Sequence, residues 1–231
     1  MKKACLLLLV ILLVSCSSTQ DVTNNEEPGN AKYTFLALGD SYTIGESVVE
    51  TKRWPVQLAE QLRVRGYKMA APRIIAKTGW TTEDLLQGMD RNLDAQQDFD
   101  LVSILIGVNN QYQGKSINEY EAELRTIFRR AVNHSRTLEK GVFAVSIPDY
   151  GYTPFGASNQ EKISAEIDEF NAVFRKVANE FNVPFYNITP ISREAKNNPE
   201  LIASDNLHPS ALMYEKWVDM IINQVAEKLP Q

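Results

Sequence analysis

From Tyr33 onward, short apolar runs alternate with amphipathic stretches. The apolar runs are YTFLAL (33–38), PRIIAK (72–77), DLVSILIG (100–107), GVFAVSIP (141–148) and VPFYNIT (183–189). They are rich in β-branched residues and apolar at successive positions, the pattern of strands covered on both faces. The stretches between them read as helices. RWPVQLAEQLRVRG carries Pro55 in its first turn and Gly66 at its stop. SINEYEAELRTIFRRAVNH opens with a capping box, Ser116 and Glu119, and places Ile117, Tyr120, Leu124, Ile127, Phe128 and Ala131 on one face. A second box, Ser158 and Glu161, opens a helix expected to reach about Phe181, and PSALMYEKWVDMIINQVAEKL closes the chain. Five strands alternating with helices predict an α/β fold with a parallel sheet and right-handed crossovers. Neither a repeat nor an interdomain linker interrupts the pattern.

In such a sheet, ligands bind beyond the C-terminal ends of the strands. Ser41 follows the first run, Gly79 the second, Asn109 the third, the loop PDYGYTPFG the fourth, and Asp205 and His208 the fifth. These residues are therefore expected on one rim. A serine hydroxyl is a weak nucleophile unless a base accepts its proton. Of the two histidines, His134 falls near the end of a helix expected to be exposed, which leaves His208 as the base. Asp205 precedes it by three residues, within reach of the other imidazole nitrogen. Pro209 restricts the backbone of His208 and starts the last helix. Taken singly, each residue also fits a structural part: Ser41 a turn or helix cap, Asp205 a loop acid, His208 a helix cap, Gly79 a turn glycine, Asn109 and Asn110 turn formers.

Composition narrows the class. The chain has 231 residues, 44% of them hydrophobic and 23% charged, which suits one soluble domain with a full core. The formal net charge is −5, and Lys2 and Lys3 fall in the leader, so the remainder is more acidic still. No basic run offers a site for a nucleic-acid backbone. The two histidines exclude a His-rich metal site, and nothing in the sequence asks for a cofactor.

Both cysteines lie near the start. MKKACLLLLVILLVSC has a basic beginning and an apolar run too short for a comfortable membrane span, the layout of a secretory signal. Its end, LVSC, resembles the bacterial lipobox, which implies cleavage before Cys16 and acylation of that residue. Residues 1–15 are then a lipoprotein signal peptide, 16–31 a polar lipidated tether and 32–231 the folded domain. Ser17 rather than Asp after the cysteine favours, in that family pattern, the outer membrane. The expected location is the bacterial cell envelope, on a lipid anchor.

Four segments of the domain resemble, in order, the blocks of the SGNH (GDSL) hydrolases: GDSYTIGE, KTGWTT, IGVNNQ and DNLHP. The similarity spans Tyr33 to about Lys228. It implies a three-layer α/β/α sandwich with a five-stranded parallel sheet, flavodoxin-like, and a serine ester hydrolase working through an acyl-enzyme. It assigns Ser41 as nucleophile, Asp205 and His208 as its partners, and Ser41, Gly79 and Asn109 as oxyanion donors. The third block commonly reads Gly-x-Asn-Asp, and Asn110 stands here where the Asp would be. An amide there can accept a hydrogen bond but carries no charge. The sequence has no G-x-S-x-G, so the nucleophile elbow of the α/β-hydrolase fold is not the model.

Candidate substrate contacts are Trp80, Asn110, Tyr150 and Tyr152, with Trp54, Tyr112 and Phe155 as further aromatic walls, though each aromatic is as readily packing. Without a long insertion to serve as a lid, short acyl or acetyl esters, including those of carbohydrates, are the expected substrates. A lysophospholipase or thioesterase is the alternative within enzymes. A lipid-anchored glycan-binding protein without catalysis is the alternative outside them; such a protein has no need of Ser41, Asp205 and His208 together.

Overall fold

The computed structural model describes residues 31–229. The leader, Cys16 and most of the tether fall outside the described residues. Five strands form one sheet: β1 (Phe35–Gly39), β2 (Arg73–Ala76), β3 (Leu101–Leu105), β4 (Val142–Val145) and β5 (Phe185–Tyr186). Their order is β2-β1-β3-β4-β5, and every pair is parallel. β1, β3 and β4 are buried at every position, as their unbroken apolar runs require.

Among the described residues, eight α-helices surround the sheet: α1 (Ser41–Ile44), α2 (Trp54–Val64), α3 (Thr82–Asn92), α4 (Val108–Tyr112), α5 (Ile117–Asn133), α6 (Gln160–Glu180), α7 (Thr189–Arg193) and α8 (Ala211–Ala226). α2 packs on α8, and α3, α5 and α6 adjoin in series, giving one helical layer on each face. The expected α/β/α sandwich is therefore the fold. The strand order reverses between β1 and β3, so the crevice at this switch point lies between the chain leaving β1 and the chain leaving β3.

Several local expectations change. α3 was not expected, because Gly88 and polar residues dilute its apolar face. Its signal is a complete capping box: Thr81 accepts from the Asp84 N–H, and the Asp84 carboxylate accepts from the Thr81 N–H at 2.9 Å. Ser158 caps nothing; it lies in a 3₁₀ turn (Ala157–Asn159), and α6 starts two residues after it, at Gln160. His134 is buried rather than exposed, with Nδ1 2.8 Å from the carbonyl of Gln97. Trp54 is core, packed against Phe35 with ring centroids 6.2 Å apart.

Candidate active site

β1 stops at Gly39 because the chain must turn there at close quarters. A Cβ on Gly39 would sit 2.2 Å from Thr43 Oγ1 and 2.4 Å from the Leu105 carbonyl, so only glycine fits. Asp40 then caps α1: its Oδ1 accepts from the Tyr42 N–H at 3.0 Å. Ser41 is the first residue of that helix, at the C-terminal rim of the sheet. Asp40 is fully buried. Burial pushes its carboxyl up to about 7, against the pull of backbone N–H groups, Tyr42's foremost.

The rim residues converge on one cleft of about 190 Å³. Ser41, Gly79, Asn109 and His208 line it, together with Tyr42, Val108, Tyr112, Tyr150, Phe155 and Leu207. Gly79 has φ +84°, a left-handed conformation that L side chains rarely adopt, and nothing stands within 4 Å of where its Cβ would be. Asn109 is oriented from behind: its Nδ2 donates to the Trp80 carbonyl at 2.9 Å, one residue beyond Gly79.

Asp205 and His208 come from a tight turn. The Asp205 Oδ1 accepts the N–H groups of Leu207 (3.0 Å) and His208 (2.9 Å), and its Oδ2 lies 2.6 Å from His208 Nδ1. The Ala203 N–H donates to the His208 carbonyl at 2.8 Å and closes the turn. The imidazole is mostly buried and meets the Tyr42 ring edge-to-face at 5.7 Å. Partial burial alone would raise the Asp205 pKa. Hydrogen bonds from Ser47, from the His208 and Leu207 backbone and from the imidazole outweigh it and hold the carboxylate well below its usual range. An ionised Asp205 fixes the tautomer with Nδ1 protonated and leaves Nε2 as the basic nitrogen. Neither Nε2 nor the Ser41 hydroxyl makes a hydrogen bond among the described residues.

The candidate substrate contacts divide. Tyr150 lines the cleft, and so do Tyr112 and Phe155; the three rings form a cluster with centroids 6.2–6.3 Å apart. Trp80, Asn110 and Tyr152 are not among the residues that line it. The Trp80 ring lies over α3, so close to Gly88 that a Cβ there would meet it at 2.4 Å. Asn110 is 2% exposed, and its amide is bonded to Thr82 on both sides, accepting the N–H (3.0 Å) and donating to Oγ1 (2.6 Å). Tyr152 borders a separate depression beside Lys196 and Asn206, with the Arg193 guanidinium 5.9 Å from its ring.

Two groups escaped sequence reasoning: Ser47, whose hydroxyl donates to Asp205 Oδ2 at 2.6 Å, and Glu123, which accepts the Thr82 hydroxyl. Each acts across a long stretch of sequence, and no local pattern marks either.

A doubly wound parallel sheet with a serine, a carboxylate-held histidine and an asparagine amide on one rim defines an α/β hydrolytic fold of the esterase kind. Residues 37–216 match the model of the GDSL-like lipase/acylhydrolase family, and the chain belongs to that family, a family of carboxylic ester hydrolases. No curated protein matches the sequence. Among solved structures, a lipase/acylhydrolase from Enterococcus faecalis is 20% identical, with 86% of this chain and 97% of that one covered and a TM-score of 0.68. An acetylxylan esterase from Geobacillus stearothermophilus is 19% identical, covering 84% and 94%, with a TM-score of 0.65. A psychrotrophic esterase from Pseudoalteromonas sp. is 17% identical, covering 84% and 97%, with a TM-score of 0.64. At these identities the likeness is one of fold.

Proposed function

We propose that this protein hydrolyses short-chain carboxylic esters through a Ser41 acyl-enzyme, with acetylated carbohydrate as its substrate class. The observation that carries the reading is the 2.6 Å contact between Asp205 Oδ2 and His208 Nδ1 in the cleft that Ser41, Gly79 and Asn109 also line. Ser41 Oγ attacks the ester carbonyl and its proton passes to His208 Nε2. The N–H groups of Ser41 and Gly79 and the Asn109 amide receive the oxyanion. The tetrahedral intermediate collapses, and the leaving alcohol takes the proton from Nε2. Water then attacks the acyl-enzyme, giving its proton to His208, which returns it to Ser41 as the carboxylic acid departs. Asp205 stays ionised and steadies the imidazolium.

Size and lining support the substrate class. At about 190 Å³ the cleft falls below the volume of sites for drug-sized ligands, roughly 300–1,000 Å³. It suits an acetyl or similarly short acyl group. Tyr112 and Phe155, 60% and 51% exposed, stand at its edge, where flat aromatic faces can stack on a sugar ring. An acetylxylan esterase among the structural neighbours agrees with this choice. The signal-like leader and Cys16 support a further element of the reading: the domain is held at the bacterial envelope by a lipid.

The test combines a fluorophosphonate probe with p-nitrophenyl esters of two to twelve carbons. Wild type should label and S41A should not, with turnover falling as the acyl chain lengthens. Label at another serine overturns the nucleophile. A preference for long chains overturns the substrate class and favours a lysophospholipase or thioesterase.

A further inference from the structure

We infer that Ser47 is a positioning residue of this site: its hydroxyl braces the Asp205 carboxylate, and through it His208, against the segment that carries Ser41. The inference rests on the esterase reading above and deepens it.

A carboxylate offers about four lone-pair sites. All four of Asp205 are occupied: Oδ1 by the Leu207 and His208 N–H groups, Oδ2 by His208 Nδ1 and by Ser47 Oγ at 2.6 Å. Three of the four donors belong to Asp205's own turn. They fix the carboxylate relative to the imidazole but not relative to the nucleophile. Among the described residues, Ser47 is the one donor from outside that turn, 158 residues away. It lies just past α1, whose end is closed by the Gly45 and Glu46 N–H groups on the Ser41 carbonyl. The bond therefore ties the acid–base half of the site to the nucleophile half.

The backbone supplies a second, independent observation. Ser47 has φ +62°, in the left-handed region that few residues other than glycine occupy. A turn that needed only this conformation would be better served by glycine, or by asparagine. Serine is a poor choice there on backbone grounds, and the hydroxyl accounts for it. Such strain persists where the surroundings over-determine the conformation.

The size of the effect follows from exposure. Both Ser47 and Asp205 reach solvent, so water can replace the lost donor. Removing the hydroxyl then costs alignment rather than charge. We expect a fall in kcat of about 5- to 50-fold, below the roughly 10- to 150-fold of a full hydrogen bond to a charged group because water takes part of its place, against as much as about 10⁴ when the acid itself is neutralised.

The test uses Ser47→Gly, Ser47→Asn and Asp205→Ala, singly and with Ser47→Gly combined with Asp205→Ala. Ser47→Gly should lower kcat as stated, leave KM within about twofold, and melt no lower than wild type, because it relieves the backbone. Ser47→Asn keeps a donor and tolerates the left-handed region, so it should recover part of the loss. On the Asp205→Ala background, Ser47→Gly should have no further effect, since the two act through one contact. A second readout is independent of turnover: the His208 Nδ1–H resonance, one of only two histidines to assign, should move in Ser47→Gly. Wild-type kcat in Ser47→Gly, an equal loss on both backgrounds, or an unmoved resonance overturns the inference. Turnover that survives Ser41→Ala overturns the esterase reading instead, and the resonance still decides the place of Ser47.

Discussion

Changing Asn110 to aspartate replaces one nitrogen by oxygen and restores the commoner family residue, so from sequence it looks harmless. The structure says otherwise. The Thr82 hydroxyl has one proton, and it gives that proton to Glu123. Its oxygen accepts from Asn110 Nδ2 at 2.6 Å, while Asn110 Oδ1 accepts the Thr82 N–H at 3.0 Å. In N110D the new oxygen faces a hydroxyl oxygen whose proton is committed elsewhere. One buried hydrogen bond is lost, about 1 kcal/mol, and a buried acceptor is left unpaired, about 1–3 kcal/mol more. For a domain of this size about 2–4 kcal/mol lowers the melting temperature by roughly 5–15 °C. Calorimetry at pH 7 on N110D, E123Q and the double variant reads the effect. E123Q supplies an amide that can donate to Thr82 and frees its hydroxyl to turn toward the new carboxylate, so the double variant should recover about 1–3 kcal/mol. Burial without a donor raises the pKa of the new carboxylate. Its penalty is therefore absent below the unfolded value near 3.9 and grows as pH rises through the folded value. N110D melting within 1 °C of wild type at pH 7, or a penalty indifferent to E123Q, would refute the relay.

Asn109→Ala should lower kcat by about 10²–10³ with little change in KM, because the oxyanion carries its charge only near the tetrahedral state; steady-state kinetics on p-nitrophenyl acetate decide, and a rise in KM alone would speak for ground-state binding. The Asp40 carboxyl is raised to about 7 in the fold, so its stabilising share is complete below its unfolded value near 3.9 and declines toward pH 7, by at most about 1.4 kcal/mol per pH unit. Asp40→Asn should flatten that slope in denaturant titrations at pH 5 and 7, and an unchanged slope would place the pH dependence elsewhere. Mass spectrometry of membrane-extracted protein should find an acylated Cys16 at the N-terminus; an unmodified N-terminus at another residue would rule out the anchor.

The sequence speaks clearly where chemistry and backbone coincide. β1, β3 and β4 announce themselves because both faces are covered. The apolar run at 183–189 promises a longer strand than the two residues of β5, since an edge strand pairs on one side only. Ser41, Gly79, Asn109, Asp205 and His208 are visible as candidates because each sits in a short motif at a strand end. Tyr150 and Tyr152 look alike in PDYGYTPFG, yet only Tyr150 enters the cleft. The carboxylate of Asp149 accepts from the Gly151 N–H at 2.9 Å and pairs with Arg193, which turns the loop between them. Ser47 and Glu123 stay hidden, because their meaning lies in partners 158 and 41 residues distant, a relation that no local pattern encodes.

The distance along the chain between Ser47 and Asp205 has a consequence for how activity arises. The Ser41 segment is made early in synthesis, but Asp205 and His208 arrive only much later, just before α8 docks on α2. Gln57 of α2 donates to the Ala211 carbonyl at 3.1 Å and locks that final docking. Contacts this remote in sequence carry a loop-closure cost that must be met before they stabilise the fold. With the sheet built but α8 undocked, Ser41 would stand without the Asp205–His208 turn. On the roles proposed above, recovery of turnover after refolding should report the docking of the Asp205–His208 turn beside Ser41 rather than formation of the sheet.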